Sequence, residues 1–470
     1  MKLGSQIFGL LGVALLLFFF AEMRPGYFSD ITYLGGFLLL EVILVSVWHY
    51  EKWFFAILML IFLWAGSSLP MSGAAQALRW VFLMVGGFVG MVRWGARSER
   101  RSFSAVHLIA SLCVVSALVS VLVSSRTQVA LLKSASLFLL FLYASSGARV
   151  AAAAGDGAFF RRLVAACEVL SFLSAFLYIG LGFELFGNPN SLGALMGVAI
   201  VPILAWGFLI SEDRQVRARR AIALFVAGYL LFSSVSRAGL LACGVTLALT
   251  CLALRRGSLL LKGGFILAFL VTAVGVLRPT HFDSMVSSFT EQIIYKGKME
   301  EGLFGSRRSP WNDTVAVIKE SPWFGSGFGT DSVQGPILSE SMFHTELVNR
   351  EHGSSYMALL QYVGLLGAIP FVILLGFIAW QLYRTFSWIR RTSDPHNYAL
   401  PLAMVCLSGL IHAAFEDWLI APGYYLTLLF WISAFLLSDF LPRRAGELAF
   451  VDARHGPAPT DSPVAALAAK

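Results

Sequence analysis

The chain has 470 residues, 57% of them hydrophobic and 13% charged, with a mean hydropathy of +0.75, against about 25% charged residues in ordinary soluble domains. That excludes water as its main solvent. The net charge of +8 is spread over short segments between apolar runs, where it faces lipid headgroups and not nucleic acid. All five cysteines lie inside apolar runs, which argues against a disulfide framework and a cysteine zinc site.

Fourteen segments are long and apolar enough to cross about 30 Å of hydrocarbon as helices: residues 7–23, 31–48, 53–69, 76–94, 105–123, 128–147, 163–181, 191–210, 221–235, 239–254, 262–278, 356–383, 399–416 and 422–440. The fold class they predict is all-α, a polytopic transmembrane helical bundle of about 12–14 spans with one large, partly helical loop. The first segment ends in Phe18-Phe19-Phe20-Ala21-Glu22-Met23. It has no small-residue cleavage site, so it reads as a span and not as a signal peptide.

With a cytoplasmic N-terminus, the short inner loops hold 17 Lys and Arg residues and the short outer loops only Arg24, Arg126 and Arg237. The positive-inside rule then places both termini in the cytoplasm of a multi-pass protein. The chain divides into N-terminal helices over 1–187, helices with a Ser-Arg-Ala-Gly segment over 188–278, an outer loop over 279–355, and C-terminal helices over 356–441. The stretch 442–470, rich in Pro and Ala, reads as a disordered cytoplasmic tail. Charges within the spans are few: Glu41, Arg79, His107, Lys133 and Glu168 read as isolated or near helix ends.

Three stretches can carry chemistry. Ser233-Ser234-Val235-Ser236-Arg237-Ala238-Gly239 joins two spans at their outer ends. Arg237 fits a side chain snorkelling at a helix end; it also fits an anion site, because small neighbours let a bulky group approach the backbone and a guanidinium forks onto phosphate oxygens. In the outer loop, Arg307-Arg308-Ser309-Pro310-Trp311 precedes Ser321-Pro322-Trp323-Phe324-Gly325-Ser326-Gly327-Phe328-Gly329. Without a strand–turn–helix unit the glycines do not read as a nucleotide loop. They allow a tight turn, packed by its aromatics against membrane or glycan, and Asp313–Lys319 reads as a short helix.

The third stretch, Arg350-Glu351-His352-Gly353-Ser354-Ser355-Tyr356, lies where the loop re-enters the membrane and leads to Gly364-Leu365-Leu366-Gly367. A histidine at such a mouth can exchange a proton near neutral pH, or simply cap a helix at the surface. His281 and His344 share the loop, but no His-x₃-His or His-Glu-x-x-His spacing occurs, so no metal is expected. Lesser candidates are Asn188-Pro189-Asn190, whose asparagines also fit a helix cap, and Glu416-Asp417-Trp418 just after His412, of which Trp418 also fits an interfacial anchor.

In order and spacing, the Ser-Arg-Ala-Gly-Leu-Leu at 236–241, the Arg307/Trp311 pair, the Pro-Trp-Phe-Gly-x-Gly-x-Gly at 322–329 and the His-x₃-Tyr at 352–356 with Gly-Leu-Leu-Gly at 364–367 resemble the bacterial O-antigen ligase and polymerase superfamily; Asn188-Pro189-Asn190 is similar to its pattern too. The resemblance covers about 188–370. Gly353 stands where asparagine often follows the histidine in such proteins.

The resemblance implies an inverting glycosyltransferase of the inner membrane that needs no metal or other cofactor. Its donor is an undecaprenyl-diphosphate-linked glycan, and its acceptor a lipid A core or a growing polysaccharide such as O-antigen or exopolysaccharide. Arg237 and Arg307 would hold the diphosphate, and His352 would orient or deprotonate the acceptor hydroxyl. Arg308, Arg350, Glu351, Trp311 and Asn190 would bind substrate. A transporter or flippase of lipid-linked glycans is the rival reading, and it requires polar groups along a path through the membrane.

Overall fold

The structure is a computed structural model that describes residues 51–96, 105–153, 157–186, 188–259, 261–262, 265, 305–330 and 352–441. The expected spans 7–23 and 31–48, most of 262–278, and the tail from 442 lie outside the described residues, as do Glu41, His281, His344, Arg350 and Glu351. The remaining eleven expected spans are all helical. No strand occurs among the described residues.

In chain order the helices are α1 Glu51–Ala65, α2 Ser72–Ala96, α3 Ala105–Val121, α4 Thr127–Ser145, the short α5 Gly147–Ala153 and α6 Ala158–Ala175. Next come α7 Pro189–Leu195, α8 Val201–Leu209, α9 Arg214–Ser233, α10 Arg237–Ala253 and α11 Gly305–Glu320. The bundle closes with α12 Ser355–Thr392, α13 Ala399–Ala413 and α14 Tyr425–Phe440. A π-helical turn at Met196–Ile200 links α7 to α8, making one apolar rod, Pro189–Leu209. Its start is local chemistry: Pro189 needs no hydrogen bond in the first turn, and the Asn188 side chain accepts from the Asn190 N–H.

Among the described residues, five helical stretches are long and apolar enough to cross a membrane: Ser72–Arg93, Thr127–Ala152, Ala158–Gly180, Pro189–Leu209 and Ser355–Thr392. The rod α7–α8, with α13 and α14, forms the buried centre, where Trp206, Phe430 and Trp431 are shut off from the surface. The outer helices turn large apolar side chains outward, among them Phe225 at 75% exposure and Leu108 at 66%. In water such faces would associate. Against lipid they carry no cost, which makes this an all-α polytopic helical membrane protein.

Close approach of two helices explains the first motif. A Cβ on Gly197 would come within 2.6 Å of the Gly239 carbonyl oxygen, and one on Gly193 within 2.2 Å of Ser234 Oγ. The small residues around Arg237 therefore admit the backbone of α7, not a bulky ligand, and α10 begins on Ser236, whose Oγ accepts from the Gly239 N–H. The expectation of a ligand at that backbone is corrected to helix packing.

The Gly-x-Gly-x-Gly stretch has an equally specific use. Gly364 leaves helical geometry inside α12, at φ 67°, and would strand main-chain groups there. The turn at 322–327 takes them up: Ser326 N–H donates to Gln361 O (2.8 Å) and Gly327 N–H to Tyr362 O (3.1 Å). Leu365 and Leu366 N–H donate to Pro322 O (2.8 Å) and Trp323 O (3.2 Å). Gly325 and Gly327 both need positive φ. Phe328 is packed inside the protein, not against membrane, and its N–H donates to Ser120 Oγ (3.0 Å). The short helix expected at Asp313–Lys319 extends over the whole of α11.

A side chain at Gly325 would meet the Gln361 carbonyl oxygen at 2.6 Å in left-handed backbone. Gly325→Ala should therefore cost more than the ~1–2 kcal/mol of the φ strain alone. A lowered thermal unfolding midpoint of purified protein checks this, with the conservative Ser326→Ala as the milder comparison.

Candidate functional site

The chain alternates direction, so Gly66, Arg126, Asn188, His352 and the segment 412–424 all come to one end of the bundle. There they line a polar cavity of about 440 Å³, within the ~300–1,000 Å³ range of small-ligand sites. His352 lies on its wall, 3% exposed, so it is not the surface cap that its position also allowed. The ring of Tyr362 meets it edge-on at 5.2 Å between centroids.

His352 is held from one side. Asp417 Oδ2 accepts both the His352 backbone N–H (3.1 Å) and its Nδ1 (3.0 Å). A carboxylate can only accept, so the proton of the neutral ring is on Nδ1 and Nε2 carries a lone pair. Nε2 is buried with no hydrogen-bond partner among the described residues. Burial pushes the Asp417 carboxyl up; the two hydrogen bonds from His352 outweigh it and hold Asp417 below the usual carboxylate range.

A second histidine has the opposite tautomer. Trp418 Nε1–H, a donor only, points at His412 Nδ1 at 2.8 Å. Nδ1 must then accept, which leaves the proton on Nε2. That Nε2 is likewise buried without a partner among the described residues, and His412 lines the same cavity. The cavity lining thus holds a buried hydrogen-bond acceptor on His352 and a buried donor on His412.

The 416–419 segment binds this lining to the start of α12. Ser355 N–H and Oγ both donate to Glu416 O (3.0 and 2.6 Å), and Ser355 Oγ accepts from Leu419 N–H (3.0 Å). Glu416 also pairs with the Arg307 guanidinium, which α11 brings in from the loop. One turn later on α11, Trp311 Nε1 donates to Gly353 O (3.2 Å), and Gly353 at φ 70° has no room for a side chain, since a Cβ would be 2.9 Å from that nitrogen.

Of the residues singled out in the sequence, His352 and Asn190 line the cavity. Arg307 and Trp311 are joined to its rim, and Arg237 is near enough to Arg307 for their charges to interact. Arg308 is exposed on α11, and Arg350 and Glu351 lie outside the described residues. Glu416-Asp417-Trp418, a lesser candidate in the sequence, holds both histidines and Arg307, and Trp418 is buried against His412 and not an interfacial anchor. Arg79 and Lys133, which read as isolated, share the cavity wall with Arg126. The available signal was only a run of charged and aromatic residues at a span end. Among the described residues no group of three or more His, Cys, Asp and Glu could hold a metal ion.

Fold and site define a class: a polytopic helical membrane protein with one polar, histidine-bearing cavity at one end of its bundle. Residues 222–372 match the family model described as O-antigen ligase, the superfamily that the motifs of this stretch resemble. The matched stretch contains Arg237, Arg307, Trp311 and His352, whereas Asn190, His412 and Asp417 lie beyond it. Comparison with the curated proteins gives no match. The match supports, at a coarse level, a membrane glycan-ligation function.

Because the folded carboxyl of Asp417 lies below its unfolded value of about 3.9, the His352 contact contributes stability that is complete above that pH and lost as pH falls through the folded value. Asp417→Asn should therefore lower the unfolding midpoint at neutral pH, with the gap to wild type closing below about pH 4. Unfolding curves recorded across pH 3 to 7 check this.

Proposed function

We propose that the protein transfers a glycan from an undecaprenyl-diphosphate donor to an acceptor hydroxyl at the periplasmic face of the inner membrane. The reaction is inverting and metal-independent, of O-antigen ligase or polysaccharide polymerase type. The observation that carries this is the buried His352–Asp417 pair at the cavity wall, with Nε2 of His352 left without a hydrogen-bond partner among the described residues.

In this reading the acceptor O–H donates to His352 Nε2. As the oxygen attacks the anomeric carbon, its proton passes to that nitrogen, the bond from the anomeric carbon to the diphosphate oxygen breaks, and the diphosphate leaves with the electron pair. Attack from the face opposite the leaving group inverts the centre. Asp417 keeps the ring in the tautomer that can accept and balances the imidazolium that forms. His412, with Nε2–H fixed by Trp418, donates to a sugar oxygen and cannot serve as a second base there.

Arg237 and Arg307 stabilise the charge that grows on the diphosphate, in the role a metal ion plays elsewhere. Arg307 rests on Glu416, so an incoming diphosphate exchanges one carboxylate for a doubly charged partner. The polyprenyl tail remains in the bilayer beside α10.

The distribution of charge favours transfer over transport. At the far end of the bundle Arg149 is bidentate to Asp439 (2.7 Å each) and meets His107 Nε2 at 3.0 Å. Toward the same end Glu168 accepts from Arg219 (2.6 Å) and Arg220 (3.1 Å). These groups are spent on each other and not aligned as a polar path from one face to the other.

In liposomes containing a lipid-diphosphate glycan, an acceptor and no divalent metal, wild type should release the lipid diphosphate and elongate the acceptor. His352→Ala should lower the rate about 10²–10⁴-fold, the usual range for a lost general base. Arg237→Ala and Arg307→Ala should each remove most activity. Donor moved intact across the bilayer would support the transporter instead. His412→Leu should slow transfer more than His412→Gln, whose amide N–H can still donate; equal rates in both variants would remove His412 from the reaction.

A further inference from the structure

The cavity that His352 and His412 line also carries three cations from two parts of the chain: Arg79 on α2, and Arg126 and Lys133 at and just after the start of α4. Their placement is built. Arg79 Nη1 donates to Gly423 O (2.7 Å), and its guanidinium lies 4.9 Å from the Trp80 ring centre. Arg79 Nε is buried with no hydrogen-bond partner among the described residues. Lys133 runs along Gly329, where a Cβ would be 2.9 Å from its Cγ. The same turn that fills the α12 kink therefore also sets the path of this side chain.

Three like charges around one cavity repel one another, and at membrane depth each is costly unless matched. Elsewhere the chain matches them: Arg149 has Asp439, Arg219 and Arg220 share Glu168, and Arg307 has Glu416. Among the described residues Arg79, Arg126 and Lys133 have no such carboxylate. The acids that do line the cavity, Glu416 and Asp417, are engaged with Arg307 and His352. What is missing beside these cations is an anion.

Arg237 and Arg307 do not line this cavity, whereas His352 does. Resting on the transferase reading above, we propose that Arg79, Arg126 and Lys133 form a subsite for a phosphate or carboxylate group carried by the acceptor glycan, so that the protein selects an acidic acceptor. The anionic group anchors the sugar in the cavity while its hydroxyl meets His352. The competing source of the same chemistry is the diphosphate of the donor.

The test uses the full-length protein in nanodiscs and has two readouts. First, binding of glucuronate, glucose 6-phosphate and uncharged glucose is measured by ligand-observed NMR, with wild type compared to the Arg79→Gln/Lys133→Gln variant. The charged sugars should bind wild type, weaken as salt is raised, and lose about ten-fold or more in the variant, the scale of a removed charge-assisted contact. Lys133→Arg should retain binding. Second, the transfer assay is run with acidic and neutral acceptors, and the variant's preference for the acidic one should fall by a similar factor.

Equal binding of glucose and the charged sugars, or equal binding by wild type and a variant with wild-type helix content, would overturn the subsite. A variant that raises KM for the donor while keeping the acceptor preference would overturn its assignment to the acceptor. Salt-sensitive binding by a wild type that transfers nothing would leave the subsite standing and remove the transferase reading.

Discussion

A helix that breaks inside a bilayer must find new partners for the main-chain groups it releases, because hydrocarbon supplies none and each unsatisfied group costs several kcal/mol. α12 breaks at Gly364, and the turn at 322–327 supplies four main-chain hydrogen bonds across the gap. That exchange ties the loop to the bundle. It carries α11 over the start of α12, so that Arg307 reaches Glu416 and Trp311 reaches Gly353. It also seats Phe328 beneath Ser120 and Gly329 against Lys133. The glycines serve the architecture directly, and the chemistry only through it.

On that frame, the two histidines differ by what holds their Nδ1 atoms. A carboxylate on His352 and an indole N–H on His412 select opposite tautomers of the same side chain. Both anchors, Asp417 and Trp418, are adjacent in the chain, and the neighbouring Glu416 holds Arg307. A single segment after α13 thus sets the proton positions and one of the cationic contacts. Such fixed dipoles and charges are already oriented when substrate arrives, which is how a buried polar site gains most over water.

Charge is divided between the two ends of the bundle. At one end the ionic groups satisfy each other: His107, Arg149 and Asp439 form one cluster, and Glu168 with Arg219 and Arg220 another. The Arg149–Asp439 pair is buried; such a pair contributes little net stability, but loss of one partner is expensive, about 3–5 kcal/mol, so it fixes helix positions. Among the described residues that line the cavity, Arg79, Arg126 and Lys133 stand beside two acids, Glu416 and Asp417, that are already engaged with Arg307 and His352.

The sequence by itself determined the solvent, the helices and the neighbourhood of the reactive residues. Hydropathy is a sum over adjacent residues, so apolar runs such as 191–210 and 399–416 announce themselves, and the Arg307/Trp311 and His352 stretches stood out because polar groups at a membrane surface are few. Tertiary structure decided which of those groups meet. The pairing of His352 with Asp417 spans 65 positions and that of Arg79 with Gly423 spans 344, and no local periodicity encodes such distances. An arginine inside an apolar run reads the same whether it snorkels, pairs or lines a cavity. Only the packing of α2, α4, α12 and α13 around one space made Arg79, Lys133, His412 and Asp417 parts of the same site as His352.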